Sequence, residues 1–238
     1  MKKNLFITLI ICIGCVACTK KTSESNSNVL GLDYYPITAG KFIVYEVDST
    51  VYTYLTRDTI HYKFLLKEKI ADSFIDNTGQ TAIRLERFVK KYDLKKPYDS
   101  LQWAIRDVYM INANNKSIQA VENNLRFTKI IFPVQSNVTW NGNANNNLEQ
   151  QLYKYSYIDN PEKINKTNFD NVLLIIQKEF HPKVLDYYYV EKYAKGFGLV
   201  YKEITDVVSN KNVTTAPVLD RIESGLIYKQ YFLSFGYE

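Results

Sequence analysis

Beyond residue 18 the 238-residue sequence contains no cysteine. A domain built from the residues after it has no disulfide, no thiol nucleophile and no cysteine-ligated metal, so its core alone must hold it together. Histidine is nearly as scarce. His61 and His181 are the only two, and solvated surface positions suit both better than a metal site or a catalytic base. No run of Lys or Arg exceeds two residues and the formal net charge is only +5, which excludes the basic stripe of a nucleic-acid binder. The motifs of common chemistry are missing too. There is no Gly-x-Ser-x-Gly elbow, no His-Glu-x-x-His, no Walker loop and no calcium loop. No cofactor or metal is expected, and the chain does not read as an enzyme.

What the sequence does have begins at its start. Lys2 and Lys3 precede an apolar run from Leu5 to Val16, 12 residues long, against the ~20 needed to cross a bilayer as a helix. A basic start, a short apolar core and small residues form the pattern of a signal peptide. Val16-Ala17-Cys18 at its end resembles a lipobox, the site read by the bacterial lipoprotein signal peptidase, with Cys15 where Leu is usual. Ile13-Gly14-Cys15 also fits, with Cys12 in the Leu position. Cys18 is preferred, because the apolar run ends there and a polar stretch begins. This reading gives a signal peptide over residues 1–17, an acylated Cys18 (carrying palmitate-like chains) and a tether over residues 18–32. A single β domain then covers residues 33–238. Several acyl chains anchor a protein firmly, where one binds only marginally. Thr19 after the modified Cys, and a tether with little acid, suggest the outer membrane and its periplasmic side, with cell-surface exposure as the alternative. Removal of Lys2 and Lys3 leaves a net charge of +3.

The remaining chain reads as strands. Twenty Tyr and twelve Phe against nine Gly and six Pro favour extended structure. In "TIHYKFLLK" Ile60, Tyr62, Phe64 and Leu66 alternate with His61, Lys63 and Lys67, the period of a half-buried strand. Asp76-Asn77-Thr78-Gly79 is a hairpin turn, and "TAIRLERFV" sets Ile83, Leu85 and Val89 against Arg84, Glu86 and Lys90. Similar segments follow at short spacing to the end of the chain; only Asn147 to Tyr155 also fits a helix. The expected fold is mainly β, an antiparallel meander with few short helices, and a sheet of that length hides its edges by curling. Gly196 and Gly198 around Phe197 fit a tight turn needing positive φ rather than a phosphate loop.

Four segments, "YYPITAGKFIVYEVDS", "IIFPVQSNVTWNGN", "NKTNFDNVLLI" and "YVEKYAKGFGLVYKEI", resemble a loosely defined group of uncharacterised bacterial lipoproteins. The resemblance covers most of residues 33–204, though Lys166-Thr167-Asn168 stands where a Gly before the Phe is common. It implies a sheet curled into a barrel or half-barrel, with a lipocalin-like or lipid-carrier-like outline. Members of the group share no agreed activity.

Three functions remain open. The first is a lipid-anchored protein binding an apolar or amphipathic ligand. The second is an interaction or scaffold subunit of a cell-envelope complex, and the third is a hydrolase without a recognisable motif. Trp103 shares a face with Leu101 and Ile105 and is expected in the core. Trp140 opens an Asn-rich loop and is expected at a rim, where Trp140, Asn141 and Asn143 would touch a ligand.

Overall fold

A computed structural model describes residues 30–91, 95–209 and 215–238 of the chain. The expected signal peptide, Cys18 and most of the expected tether lie outside these residues. Among the described residues no helix is long and apolar enough to cross a membrane.

The alternating segments form twelve strands: β1 Lys41–Tyr52, β2 Thr59–Ile75, β3 Thr81–Lys91, β4 Ala104–Ala113, β5 Ser117–Glu122, β6 Leu125–Ile131, β7 Thr139–Asn141, β8 Leu152–Ile164, β9 Thr167–Phe180, β10 Leu185–Ala194, β11 Gly198–Val208 and β12 Ser224–Tyr237. They make one antiparallel sheet in the order β6-β5-β4-β3-β2-β1-β12-β11-β10-β9-β8-β7. Apart from β1 beside β12, every neighbour in space is a neighbour in sequence, so the chain runs round the sheet as an up-and-down meander. The sheet curls into a nearly closed barrel whose free edges are β6 and β7.

Those edges meet at a seam held by a few specific bonds rather than a ladder. Thr128 N donates to Gly142 O at 2.8 Å, and Trp140 Nε1 donates to Thr128 O at 2.8 Å. The side chains of Asn145 and Asn146 donate to Thr128 Oγ1 and Arg126 O. Tyr155 on β8 receives a hydrogen bond from Ile131 N and donates to Ile131 O. Polar backbone at a sheet edge must find partners somewhere, and here the Asn-rich loop supplies them.

The turns follow their local chemistry. Gly79 closes the β2–β3 hairpin at φ 78°, with Asp76 Oδ1 accepting from Thr78 N and Gln80 N. Gly196 and Gly198 take φ of 78° and 101° in the β10–β11 turn, as their sequence suggests. That turn receives the start of the domain. Gly196 N donates to Asp33 O, and Lys41 Nζ donates to Gly196 O at 2.6 Å. Leu30 O already accepts from Val134 N at 3.0 Å, so residues 30–32, expected in the tether, lie hydrogen-bonded against the barrel. Residues 30–33 therefore lie at the end of the barrel where β1 begins, opposite the β1–β2 hairpin.

Two expectations need correction and one ambiguity is settled. Ile60 and Tyr62 keep the right alternation but are 40% and 48% exposed, because β3 pairs with β2 only from Phe64 onward and this end of β2 projects past the barrel wall. The segment from Asn147 forms a loop and then β8, not a helix. The two tryptophans exchange places. Trp140 is 8% exposed, packed at 4.7 Å from the Tyr155 ring and edge-on to Tyr153. Trp103 sits before β4 under the ammonium groups of Lys67 and Lys90, partly exposed, and its neighbour Ile105 is 64% exposed. Alternation on β4 places a residue on a face; it cannot say that the strand begins only after Trp103.

Candidate functional site

Inside the barrel the apolar alternation is interrupted. On β2 the inward face reads Phe64, Leu66, Glu68, Ile70; on β3 it reads Ile83, Leu85, Arg87, Val89; on β12 it reads Tyr228, Gln230, Phe232. The strand period thus delivers Glu68, Arg87 and Gln230 to the interior alongside core residues. Register then places polar groups side by side. Glu68 is the cross-strand partner of Arg87, Arg87 of Asp107, Glu191 of Lys202, and Lys202 of Gln230.

These groups bond to one another in two networks. Arg87 Nε donates to Glu68 Oε1 at 2.9 Å, while Nη1 donates to Asp107 Oδ1 at 2.9 Å and to the Tyr109 hydroxyl at 2.7 Å. Across the barrel, Lys129 Nζ stands 2.8 Å from Glu191 Oε1 and 3.2 Å from Glu122 Oε1. Lys202 approaches the same Glu191 oxygen at 3.2 Å, and the Tyr193 hydroxyl donates to Glu191 Oε2 at 2.7 Å. Glu191 is 1% exposed. Charges this deep are tolerable only when paired and hydrogen-bonded.

The electrostatics follow from that pairing. Burial alone would push the Glu191 carboxyl up, but Lys129 and Lys202, with hydrogen bonds from Lys129 and Tyr193, hold it down at about 2. Burial works against Glu122 in the same way, and Lys129 and Lys202 keep it below its ordinary value. Lys129 stays well above its usual range, since Glu122 and Glu191 outweigh its desolvation. Burial raises the Tyr109 phenol to about 12 despite Arg87, so it remains a hydroxyl at neutral pH.

Between the two networks lies a cavity of about 180 Å³. Glu68, Arg87, Lys129, Glu191, Lys202 and Gln230 line it together with Tyr35, Tyr109 and Tyr228. Arg106, its side chain 41% exposed, stands at the opening beside the Phe64 ring. Arg106 is the most exposed of the charged lining residues and lies near the start of β4, so the cavity opens at the end of the barrel away from residues 30–33. The volume is below the ~300–1,000 Å³ of sites for drug-sized ligands. Its walls can fix a small polar molecule by hydrogen bonds of both signs.

The residues singled out in the sequence are elsewhere. Cys18 lies outside the described residues. Trp140 belongs to the seam. Asn141 Oδ1 accepts from Asn143 N and Gln151 N, and Asn143 Nδ2 donates to Glu149 O, so both amides brace their own loop. His61 Nδ1 contacts Thr50 Oγ1 on the projecting hairpin, and His181 Nδ1 lies 2.9 Å from Asp186 at an exposed turn. Among the described residues no cluster of three or more His, Cys, Asp or Glu is arranged to hold a metal. The cavity residues left a trace in the sequence that pattern reading passed over: Arg87 has the same parity as Leu85 and Val89, and Glu68 the same as Leu66 and Ile70.

No protein-family model matches the chain, and no curated protein matches it. Among solved structures, a candidate lipoprotein from Parabacteroides distasonis ATCC 8503 aligns with 85% of this chain and 98% of its own, at 11% identity and a TM-score of 0.41.

Proposed function

We propose that this chain is a lipid-anchored binding protein of the bacterial cell envelope whose barrel holds a small polar ligand. The observation that carries the reading is the cavity of about 180 Å³ lined by Glu68, Arg87, Lys129, Glu191, Lys202 and Gln230. A barrel can be filled by apolar side chains alone, and replacing buried ion pairs with hydrophobic residues is often neutral or stabilising. Keeping two charged networks around an unfilled space is costly unless the space is used.

The lining shifts the expected ligand from apolar or amphipathic to polar. An apolar molecule here would face charged groups and offer them no hydrogen bond. Anchorage rests on the sequence: Lys2 and Lys3, the apolar run and Val16-Ala17-Cys18, followed by a polar tether. On that reading the protein sits on the periplasmic side of the outer membrane, with the cavity opening away from the lipid. Binding is favoured over hydrolysis because neither His61, paired with Thr50, nor His181, paired with Asp186, lines the cavity.

A second reading, a scaffold subunit, draws support from the exposed Tyr54, Leu55 and Ile60 on the projecting β1–β2 hairpin. Native mass spectrometry of the full chain, purified from envelope membranes in gentle detergent, separates the two. Binding predicts a retained small molecule released by unfolding. A barrel that is always empty and co-purifies with a protein partner supports the scaffold.

A further inference from the structure

The hydrogen bonds inside the cavity leave a one-sided surplus. Every carboxylate in the lining is matched by a cation: Glu68 by Arg87, Glu122 by Lys129, and Glu191 by Lys129 and Lys202. The donors are not all used. Arg87 engages Nε and Nη1, and among the described residues its Nη2 meets no acceptor. Gln230 Oε1 accepts from the Tyr228 hydroxyl at 2.7 Å, which fixes the amide, and Nε2 is left without a partner in a side chain 1% exposed. Tyr109 receives a hydrogen bond from Arg87 and keeps its own proton to donate. Arg87, Arg106, Lys129 and Lys202 line the cavity with Glu68, Glu122 and Glu191, and Asp107, paired with both Arg87 and Arg106, brings the network to charge balance, so the surplus is one of donors and not of charge. A buried donor without an acceptor is rare in folded proteins and calls for a partner.

We propose that the cavity takes a small organic acid, whose carboxylate is met by the free donors of Arg87 and Gln230 and drawn in past Arg106. This rests on the binding reading above and narrows it to one ligand class. A carboxylate fits for two reasons. It is an acceptor at every oxygen, so it matches a surplus made only of donors. A guanidinium already held flat by Glu68 and Asp107 presents its remaining edge without further ordering, and charge-assisted bonds of that kind are the strong ones. A sugar would bring hydroxyl donors of its own to a surplus made of donors, and a polyamine would meet carboxylates that already have partners.

The test uses the full lipidated chain in detergent micelles, with thermal melting and titration calorimetry against succinate, glucose and putrescine. Succinate is expected to bind and raise the melting temperature, while glucose and putrescine leave it unchanged. Gln230→Glu keeps an acceptor for Tyr228 and places a negative charge where Nε2 stands, so succinate binding should be lost. Should that variant fold poorly, Arg106→Gln decides. Arg106 is partly exposed at the opening, and its replacement should weaken succinate about tenfold while leaving the ligand-free melting temperature unchanged. Binding of glucose or putrescine but not succinate overturns the carboxylate class and leaves the binding reading standing. Binding of none of the three also overturns the class. If the envelope-purified barrel is empty as well, the binding reading falls with it.

Discussion

Lys129 and Glu191, 62 residues apart in sequence, meet at 2.8 Å across the interior of the barrel, one from β6 and one from β10. No run of local sequence brings them together; the curl of the sheet does. Their pairing sets the electrostatics of the cavity, and its removal is the most direct probe of the interior.

Glu191 should make the fold acid-sensitive. Its folded pKa of about 2 lies below the ordinary glutamate value, and Glu122 is displaced the same way. A depressed carboxyl adds stability that is fully present above its unfolded pKa and is lost as pH falls through the folded value. Urea midpoints should therefore be flat from pH 7 to about 5 and fall steadily towards pH 2. Glu191→Gln should lose about 3–5 kcal/mol at pH 7, because Lys129 and Lys202 lose their shared counter-charge, and should flatten the acid limb. An acid limb identical in the variant and the parent would show that Glu191 is not its source.

The tryptophans offer a contrast within one molecule. Trp140→Ala empties a buried seam site and removes the donor to Thr128 O, so it should cost about 3–5 kcal/mol in urea unfolding. Trp103→Ala removes an outer ring beneath Lys67 and Lys90 and should cost about 1 kcal/mol or less. The reverse order of costs would mean that the barrel closes elsewhere than at Trp140.

Gly142 is a tight point of the seam. A Cβ there would fall 2.3 Å from the Tyr153 ring, while the Gly142 carbonyl must still accept from Thr128 N. Gly142→Ala should destabilise by about 1–3 kcal/mol through overpacking. Tyr153→Leu in the same chain should recover part of that loss, a coupling read from a double-mutant cycle. Strict additivity of the two changes would place the strain elsewhere.

Cys18 can be tested by fractionation. Cys18→Ser should abolish acylation and move the protein from the detergent phase to the aqueous phase. A variant that stays acylated and membrane-bound would transfer the lipid to Cys15, the other register of the motif.

Whatever depends on neighbouring residues could be read along the chain. Period-two alternation made Phe64 and Leu66, or Ile83 and Leu85, one face of a strand, and Asp76 to Gly79 and Gly196 to Gly198 turned the chain where their backbone preferences demand it. The antiparallel meander follows from such strands joined by such turns. Even the charged interior was half legible, since Glu68 and Arg87 carry the parity of core residues. What the sequence could not hold is distance across the barrel. Whether a Glu on an apolar face is buried depends on which strand stands opposite, and Lys129 reaches Glu191 only once the sheet has curled. The same holds for Trp140. An Asn-rich loop reads as a wet rim, but tertiary closure uses those amides to cap the backbone of β6 and buries the indole beside them. Burial is a property of the closed barrel, and the strands that close it are far apart in the chain.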